Sequence, residues 1–229
     1  MGEEAVAIAV SGDHAYSRFQ AFFGLGILHL TRGRPDRAVP ALEQGLVLAR
    51  IENIPFFVPF IAAPLGWAYA LAGRIDGGVT LIEQAIEQAG SMQLVAHQAL
   101  RLTWLAQAHL LGGRRETALG RARRALHLAE DRQERGQQAY VRRLLADIDA
   151  EAERPDVAAA AAAYRGALDL AAMLQMRPLA AQCLLGLGRL HRRTGQREQA
   201  GRELADAMAQ FSAMGMTLWV ERAQAALDE

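Results

Sequence analysis

The sequence predicts an all-α fold built from repeated helix pairs, and three observations carry that prediction. Alanine, the strongest helix former, supplies 46 of the 229 residues. Only 7 prolines and one asparagine interrupt the chain, and β-branched residues are sparse. Above all, Leu25-Gly26, Leu65-Gly66, Leu105-Ala106 and Leu145-Ala146 recur at an interval of 40, and Leu187-Gly188 follows after 42. Self-similarity at such a period marks stacked supersecondary units.

Within each repeat the same parts recur. A turn position stands seven residues beyond each small residue, at Gly33, Gly73, Gly113, Glu153 and Gly195. A glycine there can take the left-handed conformation that ends a helix. A second helix then carries Leu46, Ile86, Leu126, Leu168 and Met208, preceded by the small residues Gly45, Ala85, Ala125, Ala167 and Ala207. Two extra residues between Glu153 and Leu168 account for the single interval of 42. The small residue of each first helix lets its partner approach closely. Neither helix buries its apolar stripe alone, so neighbouring repeats stack.

The elements follow in order. Residues 2–10 read as the end of a second helix whose partner is missing. First helices are expected over 14–32, 55–72, 94–112, 135–152 and 178–194. Second helices are expected over 35–51, 75–90, 115–131, 156–175 and 197–214. Pro35-Asp36 and Pro155-Asp156 place proline in the first turn of a second helix, where its missing N–H removes no needed bond. From Ile54 to Ala72 there are 19 residues without a charge, long enough for a membrane span. Pro55, Pro59 and Pro64, and the repeat register, make this a buried or groove-lining helix instead. Ala158–Ala163, the one low-complexity run, reads as helix. Residues 217–228 form a capping helix with Trp219, Val220, Ala223 and Leu227 on its apolar side. No linker is visible, so the expected architecture is one right-handed α-solenoid domain, 1–229, of about five helix pairs with partial terminal helices.

Composition and motifs exclude several functions. All 25 basic residues are arginine, and they balance 25 acidic ones. A net charge of zero argues against a nucleic-acid partner, which requires a basic excess. No phosphate-binding Gly-x-x-x-x-Gly-Lys loop exists, because the chain has no lysine. The start, Met1-Gly2-Glu3-Glu4, lacks the basic segment of a signal peptide, and with no membrane helix a cytoplasmic location is expected. The single Cys183 rules out an internal disulfide and reads as a buried small hydrophobe. His29, His109 and His191 share one repeat position, occupied by Tyr69 in repeat two. Equivalent positions in adjacent repeats lie about 20 Å apart, since packed helices are about 10 Å apart. Metal ligands must lie within about 2 Å of the ion, so these histidines are packing residues. His14, His97 and His127 stand at no zinc-site spacing. Asp147, Asp149, Glu151 and Glu153 alternate along one helix, which spreads them around it as a solvated face. With neither a Gly-x-Ser-x-Gly elbow nor a His-Glu-x-x-His pair, the chain is expected to be no enzyme and to use no cofactor or metal. The arginines clustered between Arg114 and Arg143 alternate with Glu116, Glu130, Asp131 and Glu134, which predicts surface ion pairing. An anion or acidic-partner site is the alternative reading.

The motifs resemble those of the tetratricopeptide repeat (TPR), whose pattern is Leu-Gly-x-x-Tyr in the first helix and Ala-x-x-x-Phe in the second. Repeat two has Leu65-Gly66-Trp67-Ala68-Tyr69. Repeat one has Leu25-Gly26-x-x-His29 with Ala38-x-x-x-Leu42, and repeat five Leu187-Gly188-x-x-His191 with Ala200-x-x-x-Leu204. The period of 40 exceeds the family's usual 34 or so, and six extra residues lengthen the helices by about 9 Å in total. The run from Met176 to Ala200, followed by Ala213–Trp219, is also similar to the C-terminal repeats of large bacterial signalling proteins. In those, a cyclase or LuxR-type DNA-binding domain is joined to a nucleotide-binding ATPase.

In the TPR family the first helices line a concave groove. The resemblance therefore implies a groove formed by Phe23, Ile27, Leu30, Phe60, Trp67, Leu71, Gln107, Leu111, Tyr140, Arg143, Arg189 and Arg192. It is apolar at one end and charged at the other: residues 1–113 hold 16 charges and residues 114–229 hold 34. An apolar groove with aromatic anchors suits a peptide or helix ligand. The alternative is that these side chains pack among themselves or against further repeats. The implied function is a non-catalytic protein–protein interaction module, the C-terminal regulatory part of a bacterial signalling protein. A sensor that binds a peptide or small molecule in the groove is the second reading. Val6, Ile8 and Val10 leave an apolar side at the N-terminal end, which predicts a two-fold homodimer there. Light scattering across a dilution series tests this, and a strict monomer at high concentration contradicts it.

Overall fold

A computed structural model of the protein describes residues 2–12 and 14–228, and every regular element among them is a helix. In chain order these are α1 (Gly2–Ser11), α2 (Ala15–Thr31), α3 (Pro35–Ile51), α4 (Val58–Leu71), α5 (Ile75–Ser91) and α6 (Gln98–Leu111). They continue as α7 (Arg115–Asp131), α8 (Arg135–Ala150), α9 (Val157–Met173), α10 (Arg177–Arg193), α11 (Arg197–Ala213) and α12 (Thr217–Asp228). The even-numbered helices α2 to α10 are the first helices expected from the repeat, and α3 to α11 are the second.

Two boundaries differ from expectation. The first helix of repeat two begins at Val58 rather than 55, after a 3₁₀ turn over Pro55–Phe57. Proline disfavours the helical conformation in the residue before it, and Ile54 is accordingly non-helical at φ −110°. Pro59 has no N–H to give the Pro55 carbonyl, so the turn tightens and the Val58 N–H serves that carbonyl instead. The first helix of repeat three begins at Gln98 rather than 94, because His97 stands in the left-handed region at φ 59°. The buried Arg101 guanidinium donates to the carbonyls of Leu94 (3.2 Å) and Ala96 (2.8 Å), which gives the displaced loop its hydrogen bonds.

The turn glycines behave as expected: Gly33, Gly73, Gly113 and Gly195 have φ between 72° and 86°. A second set of left-handed residues was not legible in the sequence. Asn53, Gln93, Gln133, Gln175 and Gly215, at φ 51° to 64°, close the second helix of every repeat. Both kinds of turn share one bond, from the N–H after the left-handed residue back to the carbonyl five residues earlier. Arg34 to His29 (2.8 Å), Ile54 to Ala49 (2.9 Å) and Gln196 to His191 (2.8 Å) are examples.

Packing divides the chain into two compact units, Met1–Ala118 and Leu119–Glu229. In the first unit α4 is the centre. Residues 61–66 are buried without interruption, and α4 packs against both α3 and α5. The contact between α4 and α5 is backbone on backbone: a Cβ on Gly78 would lie 2.4 Å from the Gly66 carbonyl oxygen. One turn-pair earlier, a Cβ on Gly26 would lie 2.4 Å from Leu42. In the second unit a Cβ on Gly188 would lie 2.6 Å from Leu204, so the small residue of the repeat marker admits its partner helix there too. The second unit buries Leu144, Ile148, Leu179, Leu187, Leu204 and Phe211, and α12 packs Ala223 and Ala226 onto this core. The terminal α1 packs on α2 but contributes no buried residue, and its Ile8 and Val10 are exposed.

Candidate functional site

In the first unit the first helices bring together an apolar strip. Phe23 and Ile27 of α2, Phe60, Trp67 and Leu71 of α4, and Trp104 of α6 are each half-buried and packed on one core cluster. Phe60 is held from several sides: Phe56 lies 5.0 Å away, His97 meets it edge-on at 5.4 Å, and the Arg101 guanidinium sits 5.8 Å over its ring. Gln107 is half-buried on α6, and Leu111 is 49% exposed at its end. Leu30 does not join them. It is buried in the core, since its place on α2 turns it inward beside Leu42 and Leu46. Trp104 is not among the groove positions that the resemblance implied. Thr103 is buried, with its hydroxyl donating to the Ala99 carbonyl at 2.8 Å.

In the second unit the same strip of positions is polar, and its centre is a buried ion pair. Asp147 Oδ2 accepts from the Arg143 guanidinium at 2.5 Å, and Asp147 Oδ1 accepts from the Tyr164 hydroxyl at 2.7 Å. The solvated face expected of this helix is thus wrong for Asp147, whose side chain is only 22% exposed. Arg143 lies one helical turn before it on α8, which places both on one side, and Tyr164 reaches them from α9. Tyr164 fits because Gly186 has no side chain; a Cβ there would stand 2.4 Å from the phenol ring. Burial is the largest single influence and works against the Arg143 charge, but the Asp147 carboxylate, with Cys183, Tyr164 and Tyr140 adding to it, holds the guanidinium above its ordinary pKa. Burial also pushes the Asp147 carboxyl up, with Arg143 and then the Tyr164 hydroxyl pulling against the rise. Tyr140 is half-buried, and burial raises its phenol too. Cys183 is fully buried, as expected, and burial pushes its thiol up to about 12, so it stays protonated and poorly nucleophilic near neutrality. Arg189 is exposed and Arg192 half-buried on the next first helix.

The histidines expected to pack do so. His29, His109 and His191 are all buried. Burial, then the charge of Arg37, holds His29 below its ordinary pKa. His191 Nδ1 lies 2.6 Å from Glu203 Oε2 and ties α10 to α11. Tyr69, at the same repeat position, donates to Glu43 at 2.7 Å, and Arg74 lies 3.7 Å over its ring. Members of the arginine cluster pair as expected, Arg114 with Asp76 at 2.8 Å and Arg142 with Glu130 at 3.2 Å. Among the described residues no group of three or more His, Cys, Asp or Glu is placed to hold a metal ion. No described helix is long and apolar enough to cross a membrane.

Neither a protein-family model nor a curated protein matches the sequence. Solved structures do match. Bacillus thuringiensis PlcR, solved with the peptide PapR7 and DNA, superposes with a TM-score of 0.77 at 14% identity, over 90% of this chain and 74% of that one. The apo form of RapI gives 0.73 at 12% identity, over 93% and 76%. A signal-transduction ATPase with a tetratricopeptide-repeat sensor from Pyrococcus horikoshii gives 0.64 at 15% identity. This chain covers 93% of its own length in that match but only 32% of the ATPase's. The fold is the TPR-like helical repeat. At these identities the likeness concerns fold, and the site rests on the residues described above.

Proposed function

We propose that the chain is a non-catalytic binding module that takes a peptide or helix of a partner protein on the apolar strip of its first unit. One observation carries the reading. Two tryptophans, two phenylalanines and two aliphatic side chains from three successive first helices are half-exposed and packed on one core cluster. Aromatic anchors of this kind dominate binding energies, and helical ligands meet them at i, i+3, i+4 spacing. The reading suits a regulatory part of a bacterial signalling protein acting in the cytoplasm, and PlcR, which shares the fold, was solved with a peptide bound. Selection from a displayed library of random 15-residue peptides tests it. The selected peptides are expected to carry apolar residues at helical spacing. Phe60→Ala and Trp67→Ala should each weaken their binding about 30-fold or more, the effect of losing a central anchor worth about 2 kcal/mol. Selected peptides that bind both variants as tightly as the parent protein would overturn the assignment.

A further inference from the structure

Arg101 stands where the repeat calls for an apolar side chain. The equivalent positions are Ile61, Val141 and Cys183, and all four residues are buried, Arg101 at 1% exposure. A charge taken out of water at a core position costs stability unless its bonds compensate, so its partners show its use. Those bonds go to one loop. The segments that precede α4 and α6 span 52–57 and 92–97, whereas those before α8, α10 and α12 span only 132–134, 174–176 and 214–216. Before α4, Pro55, Pro59 and a 3₁₀ turn shape the longer segment. The loop before α6 has no proline, and Arg101 donates to its carbonyls instead. Nη2 reaches Leu94 (3.2 Å) and Ala96 (2.8 Å), and the backbone N–H reaches His97 (3.0 Å).

The loop so held ends on a residue without counterpart in the other repeats. His97 is left-handed at φ 59°, while none of its equivalents, Ser17, Phe57, Gln137 and Leu179, has a positive φ. That conformation is strained for a residue with a Cβ and persists only where the surroundings hold it. The bonds from Arg101 to the Ala96 and His97 carbonyls flank the His97 Cα and do so. The outcome is a contact with the strip. The His97 ring meets Phe60 edge-on at 5.4 Å, and the Arg101 guanidinium stands 5.8 Å over the same ring. Arg101 therefore acts on Phe60 directly and through His97.

We propose that Arg101 is a positioning residue of the peptide site: without meeting the ligand, it fixes the 92–97 loop, and through His97 the Phe60 ring, in the arrangement the ligand binds. The proposal rests on the reading of the strip given above. At 1% exposure Arg101 offers a ligand no surface, so its effect on affinity is transmitted by what it holds. His97, by contrast, is exposed beside Phe60 and forms the wall of the site at this end of the strip. A lysine in place of Arg101 keeps the charge but loses the planar group whose donors point in fixed directions.

A double-mutant cycle on the intact chain tests this by calorimetric titration with a 15-residue peptide from the displayed library. Arg101→Met keeps an apolar stem, which the equivalent Ile61 and Val141 show the position to accept. His97→Gly leaves the left-handed turn accessible but removes the ring. Each single variant should weaken binding about tenfold, and the double variant about tenfold to twentyfold, short of the roughly hundredfold that independent effects multiply to. Arg101→Lys should lose about threefold, and it carries the cycle if Arg101→Met does not fold. In the unliganded chain, amide hydrogen exchange over 92–97 should quicken in Arg101→Met while that over 52–57 stays as in the parent. A folded Arg101→Met, or failing that Arg101→Lys, that binds as tightly as the parent overturns the proposal. Losses that multiply also overturn it, because they mark Arg101 as a residue of stability alone. Peptides that bind Trp67→Ala as tightly as the parent overturn the strip itself and this role with it, a result distinct from the other two.

Discussion

Replacing Asp147 by alanine is expected to destabilise the second unit by about 3–5 kcal/mol, the range for removing one member of a buried ion pair. The loss is large because the partners cannot leave. The Arg143 side chain is 13% exposed, and its Nε is already without a hydrogen-bond partner. Without Asp147 the guanidinium would keep its charge in a poor solvent, and the Tyr164 hydroxyl, packed in the space left by Gly186, would lose its acceptor. Desolvation of such a pair can exceed its mutual attraction, which is why burial raises the Asp147 carboxyl despite its neighbours. It follows that removing both charges together, as Arg143→Met with Asp147→Leu, should restore most of the stability. Urea denaturation followed by far-ultraviolet circular dichroism measures both variants. A single Asp147→Ala variant within about 1 kcal/mol of the parent would show that the pair is solvated like an ordinary surface bridge.

Gly78→Ala is expected to lower the stability of the first unit by about 3 kcal/mol, the upper part of the range for overpacking. The new methyl would stand 2.4 Å from the Gly66 carbonyl oxygen and 2.9 Å from the Ala70 nitrogen. Both are backbone atoms of α4, so no side chain can rotate aside and the helices must separate. The neighbouring Gly77→Ala is the control, because nothing lies within 4 Å of its would-be Cβ. Alanine there should stabilise α5 by about 0.5–1 kcal/mol, the ordinary helix-propensity gain. Tryptophan fluorescence during urea denaturation distinguishes the two. Equal effects at both positions would contradict the close approach of α4 and α5.

The contrast between these two sites shows where the sequence was legible. Gly66 was found as the repeat marker because a close helix approach recurs at Gly26 and Gly188, there against the Leu42 and Leu204 side chains, and repetition is visible in one sequence. The same periodicity placed the helix pairs, the turn glycines and the buried histidines. Asp147 occupies the repeat position held by Ile27, Trp67, Gln107 and Arg189, so its place on the strip was legible. Its burial was not, because that depends on Tyr164 reaching across from α9 into space left by Gly186, a contact made in one repeat only. The left-handed Asn53, Gln93, Gln133 and Gln175 escaped notice because three of the four are glutamine, a residue with no turn preference to advertise the conformation. Leu30 faces the core although the resemblance implied the groove, and Trp104 stands on the strip although it was not implied there. A repeat alignment fixes which residues are equivalent, but whether a side chain faces its partner helix or the open strip is decided by the helix pairing around it.

The claim that a partner docks on the strip of the first unit can be tested within a single spectrum. The chain has three tryptophans; Trp67 and Trp104 lie on the strip, and Trp219 lies in the second unit against Phe211. Each gives its own indole N–H signal in a nitrogen–proton correlation spectrum. On addition of a library-selected peptide, the Trp67 and Trp104 signals should move or broaden while the Trp219 signal stays in place. Movement of Trp219 alone, or of none of the three at saturating peptide, would contradict docking on the strip.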